Sequence, residues 1–263
     1  MGMTLDVAVA THGKDGIKRV EKMLLPRQEG VRYVVSWQEH GDAPVPQSLL
    51  ERSDVEVWRL DLKGVSNNRN NATDHCRADI VLASDDDLTY EPDAFRKIVA
   101  AFEKDPALDL ATFRVKFHKD KPYPANGTRL TVPFPTNYWV SCVEIAFRRE
   151  RLRDIRFNPG IGPGAPLLLC GEDELFAIDA VRAGFNCRHI AELICSHPHP
   201  STGTRVTDGI LLSNGFLIRT IYPGSYLPRI LLKAYRVSRG KKCSILRAAF
   251  LMLRGTRIKL GRT

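Results

Sequence analysis

Apolar positions along this chain alternate between two spacings. Leu5 to Ala10, Val31 to Ser36 and Val55 to Leu60 are short runs rich in Val and Leu, the length and character of strands. Ile17 to Leu25, between the first two, spaces its apolar residues at a helical period. Asn67 to Arg77 then predicts a helix, Ile80 to Ser84 a fourth strand, Pro92 to Lys104 a helix opened by proline, and Leu108 to Val115 a strand. Tyr138 to Phe147 alternates and predicts another strand. After the turn-rich stretch Asn158 to Gly164, Glu172 to Gly184 predicts a helix with carboxylates in its first turn, where the helix dipole favours negative charge. Alternating β and α units imply an α/β fold, a mainly parallel twisted sheet flanked by helices.

In such sheets ligands bind beyond the carboxyl ends of the strands. Two segments are expected to converge there: Thr11-His12-Gly13, leaving the first strand, and Asp85-Asp86-Asp87, directly behind Ile80 to Ser84. Three adjacent carboxylates repel one another, and a divalent cation with oxygen ligands relieves the repulsion. The alternative is that the aspartates cap the following helix. Residues 118–136 read as an exposed loop or flap.

Gly64-Val65-Ser66-Asn67-Asn68-Arg69-Asn70-Asn71-Ala72, ahead of Asp85 and Asp87, strongly resembles the segment before the DxD motif in family 2 glycosyltransferases of the GT-A fold. Gly171-Glu172-Asp173 resembles the later acidic motif of that family, and the matches cover residues 5–203 in order. The resemblance implies a metal-dependent, inverting transfer of a sugar from a nucleotide-sugar to a hydroxyl acceptor. Metal binding falls to Asp85, Asp87 and His197, with His199 as competitor for the last place, and the cation to Mn²⁺ or Mg²⁺. Donor binding falls to Thr11, His12, Arg69, Asn70, Asp85 and Asp86, with Arg69 as a fork for the diphosphate. Asp173 is the expected general base and Glu172 orients the acceptor. Ser36-Trp37-Gln38-Glu39 stands where many relatives carry an Asp-rich turn that reads uracil, which leaves the base open; a UDP-sugar is the expected donor.

Charge adds a second feature. The net charge is +9, yet residues 209–263 hold 12 Lys/Arg and no acid, leaving 27 Lys/Arg against 30 Asp/Glu in residues 1–208. A glycosyltransferase domain over 1–220 and a basic helical tail over 221–263 are expected. Within the tail, Arg229, Lys233, Arg236 and Arg239 recur at helical spacing against Leu227, Ile230, Leu231, Ala234 and Tyr235. Such a helix suits an anionic membrane surface, here through residues 226–260, or else packs on the body. The acceptor is expected to be a glycan or lipid-linked glycan of surface polysaccharide synthesis. Six scattered cysteines and no apolar stretch of about 20 residues suggest a cytoplasmic protein, peripheral at the inner face of the membrane. No nucleic-acid motif occurs. The rivals are a sugar-nucleotide pyrophosphorylase, whose phosphate loop after strand one is poorly matched by Thr11 to Gly16, and a non-catalytic membrane-docking module.

Overall fold

The computed structural model describes residues 2–135, 137–197, 206–240 and 243–261. His199 lies outside them. The eight strands are β1 (Leu5–His12), β2 (Val31–Gln38), β3 (Val55–Leu60), β4 (Ile80–Asp85), β5 (Thr89–Tyr90), β6 (Leu110–Phe117), β7 (Ile145–Arg148) and β8 (Cys187–His197). They form one sheet in the order β3-β2-β1-β4-β7-β6-β8-β5. The first four run parallel, as expected from their connections. β7 then pairs antiparallel with both β4 and β6, and β5 antiparallel with β8, so the sheet is mixed rather than parallel throughout.

Period-two alternation sends side chains to two apolar layers. Leu5, Val7 and Val9 of β1 pack with α1 (Gly13–Met23) and α4 (Ala94–Lys104) through Ile17, Val20, Phe95 and Phe102. Ala8, Val34, Val81 and Ala83 face the other way, towards Ala72 of α3 (Val65–Asp74) and Phe176 of α5 (Glu172–Arg182). A short α2 (Gln47–Leu50) precedes β3. α1 and α3 therefore cover opposite faces. The crevice between the carboxyl ends of β1 and β4 is the point where such a sheet opens to a ligand, and the register pairs Ala10 with Asp85 there.

The expected strand over Tyr138 to Phe147 shrinks to Ile145–Arg148, preceded by a 3-10 turn at Cys142–Glu144. Phe134, Tyr138 and Val140 alternate because they roof the layer around Phe147 as a loop, without a ladder partner. Buried Lys121 pairs with buried Glu144, and its ammonium lies 4.8 Å from the ring centres of both Tyr138 and Trp139, so the segment expected to be an open flap is anchored at its base.

Three helices close the chain: α6 (Asp208–Ile221), α7 (Tyr226–Arg239) and α8 (Ile245–Gly255). Leu211 of α6, Ile230 and Ala234 of α7, and Ala248, Leu251 and Met252 of α8 form one apolar cluster. The division expected at residue 220 therefore falls inside a three-helix unit that begins at α6. No helix among the described residues is long and apolar enough to cross a membrane.

Candidate active site

A cleft of about 850 Å³ opens at the carboxyl ends of β1 and β4. Thr11, His12, Arg69, Asp85, Asp86, Asp87, Glu172, Asp173 and His197 all contribute to its wall, so the structure gathers nine of the ten residues singled out from the sequence. Asn70 is the exception. Its side-chain amide donates to the carbonyl of Phe157 (2.8 Å) and accepts from the Phe157 amide (3.0 Å), which fixes the 157 loop to α3 rather than facing the cleft.

The three aspartates take three directions. Asp86 turns back to α1, accepting from the Thr11 hydroxyl and from Arg19 (2.9 and 3.1 Å). Burial raises its pKa, against the pull of Arg19 and Thr11. A Cβ at Gly16 would stand 2.8 Å from Asp86 Oδ2, so only glycine lets α1 approach this carboxylate. Asp86 and Thr11 thus brace the floor beneath the donor site expected of them. Asp85 and Asp87 remain for the open side.

Asp87 meets His197 because Thr89 of β5 pairs with Ser196 of β8. His197 Nε2 is 3.6 Å from Asp87 Oδ1, too far for a hydrogen bond. Asp87 Oδ1 and His197 Nδ1 are buried and have no hydrogen-bond partner among the described residues. Unpaired polar atoms in such a place call for a further ligand. No group of three metal-ligating side chains is assembled among the described residues, so the expected trio of Asp85, Asp87 and His197 is not closed. Two protein ligands with substrate oxygens completing the shell is the manner in which Mg²⁺ is commonly held at phosphates. The donor set fits a divalent cation on that basis.

Arg69 requires the largest revision. The fork expected to hold a diphosphate is occupied by carboxylates: Nη1 donates to Glu172 (2.8 Å) and Asp173 (2.6 Å), and Nη2 to Asp85 (3.1 Å). The guanidinium is buried and also lies over the Phe157 ring. It ties the end of β4 to the start of α5 across the cleft. One positive charge serves three acids, and the remaining negative excess, with Asp87 beside it, would repel a pyrophosphate unless a cation came with it. Burial pushes Asp173 up to about 7 despite Arg69, with Glu172 and Asp85 adding to the rise. Glu174 is pushed up to about 7 by burial and by Asp173, against Lys233 and Lys121. A carboxyl poised near neutrality in a cleft has the affinity a general base needs.

Residues 45–161 match the family described as Glycosyl transferase family 2. Over that stretch the chain is similar to family 2 glycosyltransferases. The matched stretch contains Arg69 and Asp85 to Asp87 and stops short of Asp173 and His197. No curated protein matches. Among solved structures, S. aureus TarS 1-349 in complex with UDP-GlcNAc is 17% identical, covers 92% of this chain and 74% of its own, and gives a TM-score of 0.59. TarS 1-349 alone is 14% identical, with 95% and 90% covered and a TM-score of 0.61. TarS itself is 17% identical with a TM-score of 0.59 over 92% of this chain, which spans 44% of it. At these identities the likeness is one of fold, and the fold is of GT-A type.

The cleft also contains residues that the sequence did not single out. Asn68 reaches the Thr11 carbonyl (2.8 Å) and lines the wall beside Gln38, which donates to the carbonyls of Leu62 and Gly64. Trp139, half exposed, also lines the cleft. Asn214 of α6, within the domain expected over 1–220, and Lys233 of α7, within the tail expected over 221–263, also line the wall. The helical spacing of Lys233 marked it as one of a basic row. Nothing local distinguished it from Arg229 or Arg236.

Proposed function

We propose that this glycosyltransferase moves a sugar from a nucleoside diphosphate sugar, a UDP-sugar, to a hydroxyl of a glycan or lipid-linked glycan acceptor, with inversion at the anomeric carbon. The observation that carries the reading is the Arg69 bridge, which sets Asp85 of β4 and Asp173 of α5 on facing sides of one cleft. Two acids of opposed duty need that separation: one beside the departing diphosphate, the other beside the incoming hydroxyl. TarS has been crystallised with UDP-GlcNAc and, separately, with UDP, which supports the choice of donor.

Asp173 takes the acceptor proton at its carboxylate as the oxygen attacks, and Arg69 holds that carboxylate in place. Glu172, fixed by the same guanidinium, keeps the start of α5 in register. His12, Gln38 and Glu39, at the ends of β1 and β2, line the end of the cleft for the nucleoside. Asp87 and His197 would hold Mn²⁺ or Mg²⁺, which supplies charge neutralisation to the leaving diphosphate. Trp139 offers a half-exposed ring against which a sugar can stack.

The pyrophosphorylase alternative is weakened by the chain leaving β1. Helix α1 starts at Gly13, directly after the strand, and leaves no loop to wrap a triphosphate. A panel of nucleotide-sugars with and without Mn²⁺, read by thermal unfolding, tests the proposal. A donor at 100 times its Kd adds about 2.7 kcal/mol, roughly 5–11 °C for a chain of this size. Silence across the panel, or pyrophosphate release from a nucleoside triphosphate and a sugar phosphate, would defeat it.

A further inference from the structure

Twelve large apolar side chains remain exposed among the described residues, and eight of them are on α7 and α8. Leu227, Leu231 and Tyr235 follow one another at four-residue steps, which puts them on one outward face of α7. Leu246, Phe250 and Leu253, at steps of four and three, share a face of α8, where Leu246 is 81% exposed and Phe250 59%. The inward face of α8 is already filled by Ala248, Leu251 and Met252. A helix apolar on both faces calls for a second apolar neighbour.

The same unit holds a second cavity, about 540 Å³, between the end of α6, the start of α7 and the segment after α8. Arg219, Arg257 and Lys259 line it with the Thr220 and Thr256 side chains. None of these three cations is in an ion pair among the described residues, whereas Arg247 nearby in sequence is paired with Asp208. Arg219 lies over the Tyr226 ring, 4.7 Å from its centre, a contact that holds the guanidinium without neutralising it, and three cations around one cavity suit a phosphate.

We propose that the α6–α8 unit docks on an anionic phospholipid bilayer. The stripes of Leu227, Leu231, Tyr235 and of Leu246, Phe250, Leu253 enter the acyl boundary, and the Arg219, Arg257, Lys259 cavity takes a lipid phosphate. Charge decides between occupants. Residues 209–263 contain 12 Lys/Arg and no acid, so a second copy of this face would meet like charge, while an anionic bilayer supplies phosphates above an apolar layer. Lys233 extends from α7 into the active-site cleft, so a docked molecule holds its cleft rim at the membrane, within reach of a lipid-borne acceptor. That last consequence rests on the transfer reading. The docking does not, and it is measured without turnover.

The 263-residue protein is sedimented with vesicles of phosphatidylcholine alone and of phosphatidylcholine with 30% phosphatidylglycerol. Binding is expected to the anionic vesicles, at least tenfold weaker to the neutral ones and weakened by 0.5 M NaCl. L246D/F250D and, separately, R257E/K259E are each expected to lose tenfold or more in partitioning, with unchanged circular dichroism and melting. Equal binding to both vesicle types, no binding to either, or a dimer dispersed by L246D/F250D without vesicle binding would overturn the proposal. The lipid-composition and salt comparisons use wild-type protein and decide the matter even if a variant fails to fold.

Discussion

Replacing Arg69 by methionine keeps roughly the volume of the side chain but removes the charge that Asp85, Glu172 and Asp173 share. The guanidinium side chain is 6% exposed, and Glu172 is similarly covered. Breaking a buried ion pair from one side costs about 3–5 kcal/mol, since the abandoned charge cannot regain its water. For a chain of this size that lowers the melting temperature by roughly 6–20 °C. A pH-dependent part follows from Asp173, whose folded-state pKa of about 7 already lies above the unfolded value of about 3.9. A raised carboxyl stabilises the fold below the unfolded pKa and loses that contribution as pH climbs to the folded one. In the wild type the loss is complete near pH 7. Without Arg69, which holds the value down, it continues beyond, so the variant's deficit should widen between pH 7 and pH 9. Circular dichroism melts in EDTA at pH 6, 7 and 8.5 measure it. A deficit under about 1 kcal/mol, or one that narrows as pH rises, would refute the role given to the Arg69 charge.

Asp173→Asn is expected to lower kcat by about 10²–10⁴-fold with donor affinity nearly intact. The wild-type rate should fall as pH drops through about 7, where Asp173 takes up its proton; Glu174→Gln should keep that limb, and losing it there instead would move the base to Glu174. Asp87→Ala should abolish Mn²⁺-dependent stabilisation by donor while leaving the melting point without ligand within a few degrees, as calorimetry with and without EDTA would reveal. Gly16→Ala should cost about 1–3 kcal/mol in urea unfolding, because the new methyl meets Asp86 and Thr11; an unchanged midpoint would mean that α1 yields freely.

The first half of the fold was readable because β1 to β4 and their helices keep clean periods, and the two acidic segments end up facing one another where the sheet order reverses. β8 was missed since its register shifts between Phe113 and Val115 of β6 break the alternation, and Arg188, His189 and Glu192 interrupt its apolar residues. α6 was missed although Thr207 caps it, because Gly209 and Gly215 lower its helix propensity. In the site, residue identity was legible and direction was not. Asp86 differs from its neighbours only by the strand geometry that turns it to Arg19. Arg69 carries the charge of a phosphate ligand, and only the fold shows that α5 brings two more carboxylates to it. Lys233 reaches the cleft through a helix packing that no local pattern encodes.

In the proposed reaction one cleft holds the donor diphosphate at Asp87 and His197 and the acceptor hydroxyl at Asp173. A crystal grown with UDP-sugar and Mn²⁺, with data collected at the manganese edge, tests it most directly. The expected result is one anomalous peak on Asp87 and His197, shared with the diphosphate, and the anomeric carbon facing Asp173. A peak elsewhere, or a sugar turned away from Asp173, would contradict it.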